Sequence, residues 1–290
     1  MPVNLSWPSA PGAGLAGSYN GLTFDPGGLS GFALDTMQGL DDLPDVRHGD
    51  LPRGQDDGAF LAVDLLGERI ITLTLHVLAD EASYPTRVAG LKSAFMPQRS
   101  AELPLYARGS TVLVNCRTTK VRIPQDVNTP GGYGLATIEL TASDPRIYDA
   151  ALTTIAVPVA VAGSGFSFPM TFPLTFGTAG AGGTFTATNA GNFPTKPTVH
   201  ITGPVDNPRL EHTDSGKVLT MAISLASGDY LDLDFNARTI ILNGSASRRN
   251  TLVGGSAWWD IVPGLNHLRY AANTVAVGSV ATVTFRSAWL

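Results

Sequence analysis

The segment from Ser227 to Tyr270 restricts the possible folds more than any other part of the chain. It begins SGDYLDLDFNARTIILNG and ends SAWWDIVPGLNHLRY. Two strand-like runs flank residues 236–238, and the second, which is hydrophobic, ends in Asn243-Gly244, a pair typical of tight turns. This pattern predicts short antiparallel strands joined by turns. It holds no catalytic motif, and it favours a protein that holds or recognises a partner.

Composition extends this prediction to the whole chain. The 290 residues are enough for two domains that each bury a core. Hydrophobic residues make up 43% and charged residues 15%, with 32 Gly and 20 Pro, which favours a mainly β protein with many turns. The net charge of −5 argues against nucleic-acid recognition, which needs clustered Lys and Arg. No apolar run approaches the roughly 20 residues of a membrane span.

The cysteine content and the N-terminal residues indicate the cellular compartment in which the protein folds. Cys116 is the only cysteine, so no intrachain disulfide forms, and this fits folding in a reducing cytoplasm. It lies in the strand-like run TVLVNCRTTKV, which predicts a small buried or half-buried side chain. The first residues, MPVNLSWPSAPGAG, lack the basic and apolar regions of a secretion signal. We therefore expect a soluble protein that is made and assembled in a cytoplasm.

The first half predicts strands and one helix. Residues 69–77, RIITLTLHV, alternate with Ile71, Leu73, Leu75 and Val77 on one face of a strand. Between residues 80 and 95 the apolar spacing changes to three and four, which predicts a helix with Pro85 in its first turn and Pro97 beyond its end. The apolar stripe of this helix is Tyr84, Val88, Leu91 and Phe95. Further strands are predicted at residues 101–107, 111–117, 119–124 and 134–142. The first domain is predicted to cover residues 1–150 and to end in SDPRIYDA.

Residues 40–58, LDDLPDVRHGDLPRGQDDG, are predicted to form an exposed loop or arm. A long polar loop in a compact domain often contacts another subunit. Its aspartates raise two other interpretations, a glycoside hydrolase pair or a calcium site. The spacing fits no EF-hand, and a solvated acidic loop is the favoured interpretation. The aspartates of this loop are Asp41, Asp42, Asp45, Asp50, Asp56 and Asp57.

The second half is predicted to be a linker followed by a β domain. Residues 151–188 are rich in Pro, Gly, Ala and Thr, which predicts an extended connection packed through Phe166, Phe168, Phe172 and Phe176. Residues 189–290 then show about seven short strand patterns with frequent turns, typical of an antiparallel β-sandwich.

Motifs for catalysis, cofactors and metals are weak or missing. The GAGLAG at Gly12–Gly17 matches GxGxxG, but neither a preceding strand nor a following helix is predicted around it. The five histidines occur singly, without the paired spacing of zinc ligands. Neither a GxSxG elbow nor a cysteine-nucleophile signature is present. We therefore predict no catalytic residue, no cofactor and no metal, and a protein that is not an enzyme.

The tryptophan pair Trp258-Trp259 is the candidate binding feature of the second domain. On a strand, one indole would enter the core while the other would lie at the surface. Packing in the core or against a partner is the favoured interpretation, and stacking on a sugar ring is the alternative.

The order of these motifs resembles siphophage distal tail proteins and related minor tail proteins. In the first half, the resemblance lies in GERIITLTLHV at Gly67–Val77, VAGLKSAF at Val88–Phe95 and TASDPRIYDA at Thr141–Ala150. In the second half, it lies in NFPTKPTVHITGP at Asn192–Pro204 and in the two pieces of the Ser227–Tyr270 segment. The resemblance implies a tail-tube-like β-barrel or sandwich with one helix, then a galectin-like antiparallel β-sandwich.

The resemblance also implies a function. Such proteins are structural components of the virion that form a ring, typically hexameric, joining the tail tube to the baseplate or tip. The implied partners are the tail tube protein, the tail-tip or baseplate hub protein and receptor-binding or accessory tail proteins, with assembly in the host bacterial cytoplasm. Residues 40–58 become the candidate subunit arm, through Asp41, Asp42, Arg47, Arg53 and Asp56. The alternative function is a carbohydrate-binding module for the host surface.

Overall fold

The computed structural model describes residues 16–97, 100–107, 110–125, 129–160, 183–272 and 278–290. The chain divides into two compact units, Met1–Ala150 together with Leu290, and Ala151–Trp289. The described parts of both units are built of antiparallel sheets, and they hold a single α-helix. The prediction of a mainly β protein with one helix is therefore confirmed. In the described part of the chain, no helix has the length and apolar character needed to span a membrane.

The first unit consists of short strands around one long sheet. Its strands are β1 (Ala16–Tyr19), β2 (Leu22–Phe24), β3 (Phe32–Gln38), β4 (Val46–Arg47), β5 (Leu51–Pro52), β6 (Ala59–Phe60), β7 (Leu65–Leu66), β8 (Arg69–Leu78), β9 (Ser100–Ala107), β10 (Ser110–Arg122), β11 (Tyr133–Ala142) and β12 (Ile147–Asp149). The helix α1 covers Tyr84–Ala94, and a 3-10 turn covers Thr129–Gly131. The main sheet has the order β2-β1-β9-β10-β11-β8-β3, and β12 pairs with β10.

The alternation in β8 builds the core of this unit. Ile71, Leu73, Leu75 and Val77 are fully buried, which confirms the predicted inner face. The helix packs on the sheet through the buried Tyr84 and Leu91 and through Phe95, whose ring stacks on Tyr19 at 4.9 Å. The predicted helical stripe is therefore confirmed, although Val88 is only half-buried.

Two details of this sheet differ from the prediction. Residues 111–117 and 119–124 were expected to be two strands, but β10 is one strand whose register shifts between Thr118 and Lys120. A bulge changes the alternation without ending the strand, so the pattern resembled a break. A closed barrel, one of the two predicted forms, is not found among the described residues. The end strands β2 and β3 are joined only by an isolated bridge between Asp25 and Ala33, and they form no ladder that would close the sheet.

The described part of the second unit contains two larger antiparallel sheets and a two-stranded one. Its strands are β13 (Thr153–Pro158), β14 (Thr184–Asn189), β15 (Thr198–Thr202), β16 (Val205–Asp206), β17 (Arg209–His212), β18 (Lys217–Thr220), β19 (Ser224–Leu225), β20 (Tyr230–Asp234), β21 (Thr239–Leu242), β22 (Ala246–Ser247), β23 (Gly264–Ala271), β24 (Val280–Phe285) and β25 (Ala288–Trp289). One sheet has the order β13-β24-β15-β20-β21-β22, and the other has the order β14-β23-β17-β18. A 3-10 turn covers Arg249–Thr251, and β16 pairs with β19.

Side chains from both sheets meet in one hydrophobic core. Ile201 and Leu231 from the six-stranded sheet and Leu210 and Leu268 from the four-stranded sheet belong to the same buried cluster. Alternate residues of each strand point into this cluster, which is the pattern predicted from YLDLDF.

The predicted linker at residues 151–188 is wrong at both ends. Residues 153–158 form β13, which pairs with β24 from Thr153↔Phe285 onwards, and residues 184–189 form β14. Both strands are short and rich in Thr and Ala, so their alternation is weak, and only their partners elsewhere in the chain reveal them. The four phenylalanines assigned to the linker, Phe166, Phe168, Phe172 and Phe176, lie outside the described residues.

Candidate assembly surface

A β-hairpin arm leaves the first unit between β3 and β8. We define the arm as residues 46–66, and it contains two short antiparallel ladders. In the first ladder β4 pairs with β7, and in the second β5 pairs with β6. The hairpin closes at its tip, where the N–H of Arg53 donates to the main-chain oxygen of Gly58 at 3.0 Å. The predicted loop at residues 40–58 is therefore only the first part of a longer structure.

The arm is exposed along nearly its whole length. Every residue from 45 to 65 is exposed, including large apolar side chains. Their exposed fractions are 67% for Leu51, 61% for Phe60, 88% for Leu61 and 80% for Val63. A two-stranded hairpin is at best marginally stable alone, and a contiguous apolar patch usually marks an interaction site. The arm thus has the properties of a segment that docks on another surface.

Polar contacts hold the two strands of the arm in register. His48 Nδ1 lies 2.8 Å from Asp64 Oδ1, across the hairpin. The Asp50 carboxylate accepts the N–H of Ala62 at 2.9 Å. Near the tip, the guanidinium of Arg53 lies over the ring of Phe60, with 5.1 Å from its carbon to the ring centroid. These contacts order the hairpin but leave its apolar side chains uncovered.

Arg69 anchors residues 39–42, which precede the arm and form its base. It is 1% exposed, and the two N–H groups of its Nη1 are shared among the main-chain oxygens of Gly39, Leu40 and Asp42, at 2.9, 2.8 and 2.6 Å. Its Nε donates to the main-chain oxygen of Pro145, in the SDPR exit of the first unit. Burial lowers the pKa of Arg69, and the nearby Asp41 carboxylate opposes that shift. One buried cation therefore joins the arm base to the end of the unit.

The chain approaches this anchor through a tight contact at Gly39. Its φ is +85°, in the left-handed region, and a Cβ there would overlap the main-chain oxygen of Ile70. Only glycine combines this φ with such a close approach at low cost. The direction in which the arm leaves the sheet therefore depends on Gly39.

The residues proposed for the arm occupy different parts of it. Asp41 and Asp42 precede the hairpin at its base, Arg47 lies in β4, Arg53 begins the turn at the tip and Asp56 is exposed within that turn. All five are exposed, and their role as a subunit arm stays a prediction.

Two features of this surface were not predicted from the sequence. One is Arg69, whose charge gave no sign that it would be buried. The other is the returning leg of the hairpin, AFLAVDLL at residues 59–66, which carries most of the exposed apolar area. The signal was present, because an apolar run that follows a polar turn predicts the second strand of a hairpin.

The tryptophan pair of the second unit packs around Phe235. The ring centroids of Trp258 and Trp259 lie 4.9 and 4.5 Å from that of Phe235. Trp259 is 2% exposed and belongs to the core, whereas Trp258 is half-buried against it. The pair lies in an irregular segment rather than in a regular strand. Its proposed contact with a partner or a sugar stays a prediction, and only Trp258 offers substantial surface for it.

Four of the histidines lie beside aspartates. The pairs are His48–Asp64, His76–Asp35, His200–Asp232 and His267–Asp214. Within the described ranges, no group of three or more His, Cys, Asp or Glu side chains is placed to hold a metal ion. The prediction that the protein has no metal, cofactor or catalytic residue stays a prediction. The last glycine of GAGLAG, Gly17, lies in β1, and residues 12–15 of that motif lie outside the described residues.

Comparison with known families places the second unit in a class. Residues 190–289 match the family model of the siphovirus-type tail component, C-terminal domain. Residues 190–289 therefore resemble a domain found in siphovirus-type tail components. No curated protein matches the chain in sequence.

Solved structures extend the likeness to nearly the whole chain. The Dit protein of phage SPP1, described as a paradigm of the hub adsorption apparatus of phages that infect Gram-positive hosts, superposes with a TM-score of 0.68 at 14% identity, covering 95% of this chain and 99% of that one. A chain of the phage P2 baseplate in its activated conformation with Ca gives 0.50 at 8% identity, covering 93% and 96%. The resemblance to siphophage distal tail proteins is confirmed by the family match together with this shared fold.

Proposed function

We propose that this protein is a structural distal tail protein, which forms a ring that joins the tail tube to the baseplate or receptor-binding apparatus. The observation that carries the proposal is the combination of a Dit-like fold over 95% of the chain with an exposed apolar arm at residues 46–66. The fold supplies the class of protein, and the arm supplies a surface that is suited to subunit contact. No catalytic residue is needed for this role.

The arm supports a ring for a geometric reason. A closed ring of identical subunits uses two different patches on each subunit, so that every copy both gives and receives the same contact. A projecting hairpin provides the giving patch, because it reaches beyond the sheet that supports it. We propose a hexamer, the number that the resemblance implies, located in the virion at the tail tip after assembly in the host cytoplasm.

The first test is the oligomeric state of the purified chain. We expect light scattering to give the mass of a hexamer and negative-stain images to show a ring with a central hole. Leu61→Asp with Val63→Asp should shift the chain towards monomer, because two carboxylates would be buried in the contact. Leu29→Asp is the matched control, since Leu29 is 97% exposed in the first unit but lies outside the arm. A wild-type chain that stays monomeric at high concentration would contradict the proposal.

The second test is location and partners. Antibodies against the chain should label the end of the phage tail in electron micrographs, at the junction of tube and tip. Co-expression with the tail tube protein and the hub protein of the same phage should give a complex that elutes together. Labelling along the whole tube, or only on the head, would contradict the proposed role.

A further inference from the structure

A second surface of the first unit complements the arm. A groove of about 600 Å³ lies between the C-terminal half of α1 and the second half of β10. Its apolar lining comes from Val88, Phe95, Met96 and Pro97 on the helix side and from Val121 and Ile123 on the strand side. Met96 is 49% exposed, although it is a large apolar residue. The groove therefore has apolar surface available to a ligand.

The charges in the groove are positive. Lys92 from α1 and Lys120 from β10 are both exposed and line it, and its lining includes no Asp or Glu. A carboxylate does lie nearby, because Glu139 faces Lys120 across the ladder and accepts a hydrogen bond from the Thr119 hydroxyl at 3.2 Å. The two ammonium groups favour a ligand that carries both apolar and acidic side chains.

The arm and the residues just before it have that composition. Residues 41–64 contain seven aspartates and two arginines, an excess of five negative charges when His48 is neutral. The aspartates are Asp41, Asp42, Asp45, Asp50, Asp56, Asp57 and Asp64. Leu51, Phe60 and Leu61 lie among them and are more than half exposed. Apolar side chains bordered by acids match an apolar groove bordered by lysines.

We propose that the arm of one copy binds the groove between α1 and β10 of a second copy. The apolar residues of the arm would cover Met96 and Val121, and its aspartates would lie beside Lys92 and Lys120. The arm does not fill the groove of its own chain, since residues 45–65 are all exposed. This inference rests on the proposed function, because it names the receiving patch of the subunit contact.

Cross-linking between two chains tests the contact directly. One chain carries Leu61→Cys and the other carries Met96→Cys, with affinity tags of different size. Both positions are exposed, so neither substitution should prevent folding. Cys116 stays in place, because it is 2% exposed and burial raises its pKa to about 12, which leaves it unreactive. A short bis-maleimide is then added to the mixed, assembled chains.

The expected product is a covalent dimer that contains both tags. The matched control pairs Leu61→Cys with Leu29→Cys, which is exposed in the same unit but lies outside the groove, and should give little product. In the mixed chains, Lys92→Glu with Lys120→Glu on the Met96→Cys chain should lower the yield about threefold to tenfold at low salt, as for two partly exposed ion pairs.

The possible outcomes separate the two proposals. A ring that forms without the Leu61–Met96 product overturns the groove as the receiving patch and leaves the ring intact. A chain that neither assembles nor cross-links overturns both. A third chain that carries both Leu61→Cys and Met96→Cys completes the test. If it cross-links only within itself, the inference is overturned, because the arm would then reach its own groove.

Discussion

The Nη1 atom of Arg69 lies 2.6 Å from the main-chain oxygen of Asp42, so a buried guanidinium holds the start of an exposed arm. Hydrogen bonds to a charged donor contribute about 1.5–3 kcal/mol each, more than bonds between neutral groups. The same side chain also binds the oxygen of Pro145. The position of the arm is therefore coupled to the packing of the first unit.

Replacing Arg69 should destabilise the first unit. Arg69→Ala leaves several buried carbonyls without a donor, each at a cost of about 1–3 kcal/mol, and is expected to lower the free energy of unfolding by about 3–5 kcal/mol. Arg69→Lys should recover little, because a point charge lacks the planar fork that serves several oxygens. Urea unfolding measures the loss, and hydrogen exchange should show faster exchange at residues 39–45. Arg53→Ala at the exposed tip is the control and should change stability by no more than about 0.5 kcal/mol.

Alanine substitutions at Gly39 and Gly54 distinguish the effect of backbone strain from the general effect of replacing a glycine. Gly39→Ala should destabilise the protein, because its φ is +85° and a Cβ would meet the main-chain oxygen of Ile70. Gly54→Ala, within the arm, should be neutral or stabilising by a few tenths of a kcal/mol, since nothing lies near its Cβ position. Thermal unfolding of both variants checks the difference. Equal effects would show that the tight contact at Gly39 does not matter.

The two tryptophans should respond differently to truncation. Trp259→Ala removes a side chain that is 2% exposed and should cost about 3–5 kcal/mol of unfolding free energy. Trp258→Ala removes a half-buried ring and should cost less. Tryptophan fluorescence during urea unfolding measures both. A glycan array run with wild type and with Trp258→Ala tests the alternative sugar function, and binding that disappears in a stably folded variant would favour it.

The Cys116 thiol should be almost unreactive in the folded protein. Burial raises the pKa of Cys116 to about 12 from its ordinary value of 9.0, so the thiolate fraction at pH 8 falls from about a tenth to about one in ten thousand. We expect a thiol reagent to label native protein far more slowly than protein unfolded in urea. Fast labelling of the native chain would mean that the β10 region opens readily.

The second unit should lose stability in acid partly through Asp214. Its pKa is lowered because the main-chain N–H of His267 donates to one carboxylate oxygen at 2.7 Å, while the His267 ring lies against the other. A lowered folded-state pKa means that this stabilisation is present above the ordinary value of 3.8 and is lost as the pH falls below it. Asp214→Asn should therefore flatten the fall in unfolding temperature below about pH 4. An acid slope that is the same in wild type and in Asp214→Asn would contradict this account.

Local patterns predicted the regular parts of the fold. One face of β8 was predicted from the alternation of Ile71, Leu73, Leu75 and Val77, because side chains of a strand alternate between its two sides whatever the strand pairs with. The helix α1 follows from its own spacing and from Pro85 in its first turn. The barrel form, the break in β10 and the linker were wrong because each depended on how strands pair with one another, which the residues of a single segment do not show.

The candidate site was predicted only in part for a related reason. Residues 40–58 show their exposure through composition, since a run with many breakers and few apolar groups cannot build a core. The returning leg at residues 59–66 has the apolar composition of a core strand, and no local feature of its sequence predicts that its side chains are exposed. An apolar run that binds another subunit and an apolar run that packs in a core have the same sequence pattern.

The sequence by itself determined the mainly β class, the single helix and the resemblance to phage tail proteins, because periodicity, turn residues and motif order are properties of neighbouring positions. Only the tertiary structure decided that Arg69 is buried against the oxygens of the arm base, that Trp259 enters the core beside Phe235, and that the arm is a hairpin with exposed apolar side chains. Burial and pairing depend on groups that are far apart in the chain, and they are set by which surfaces meet after folding.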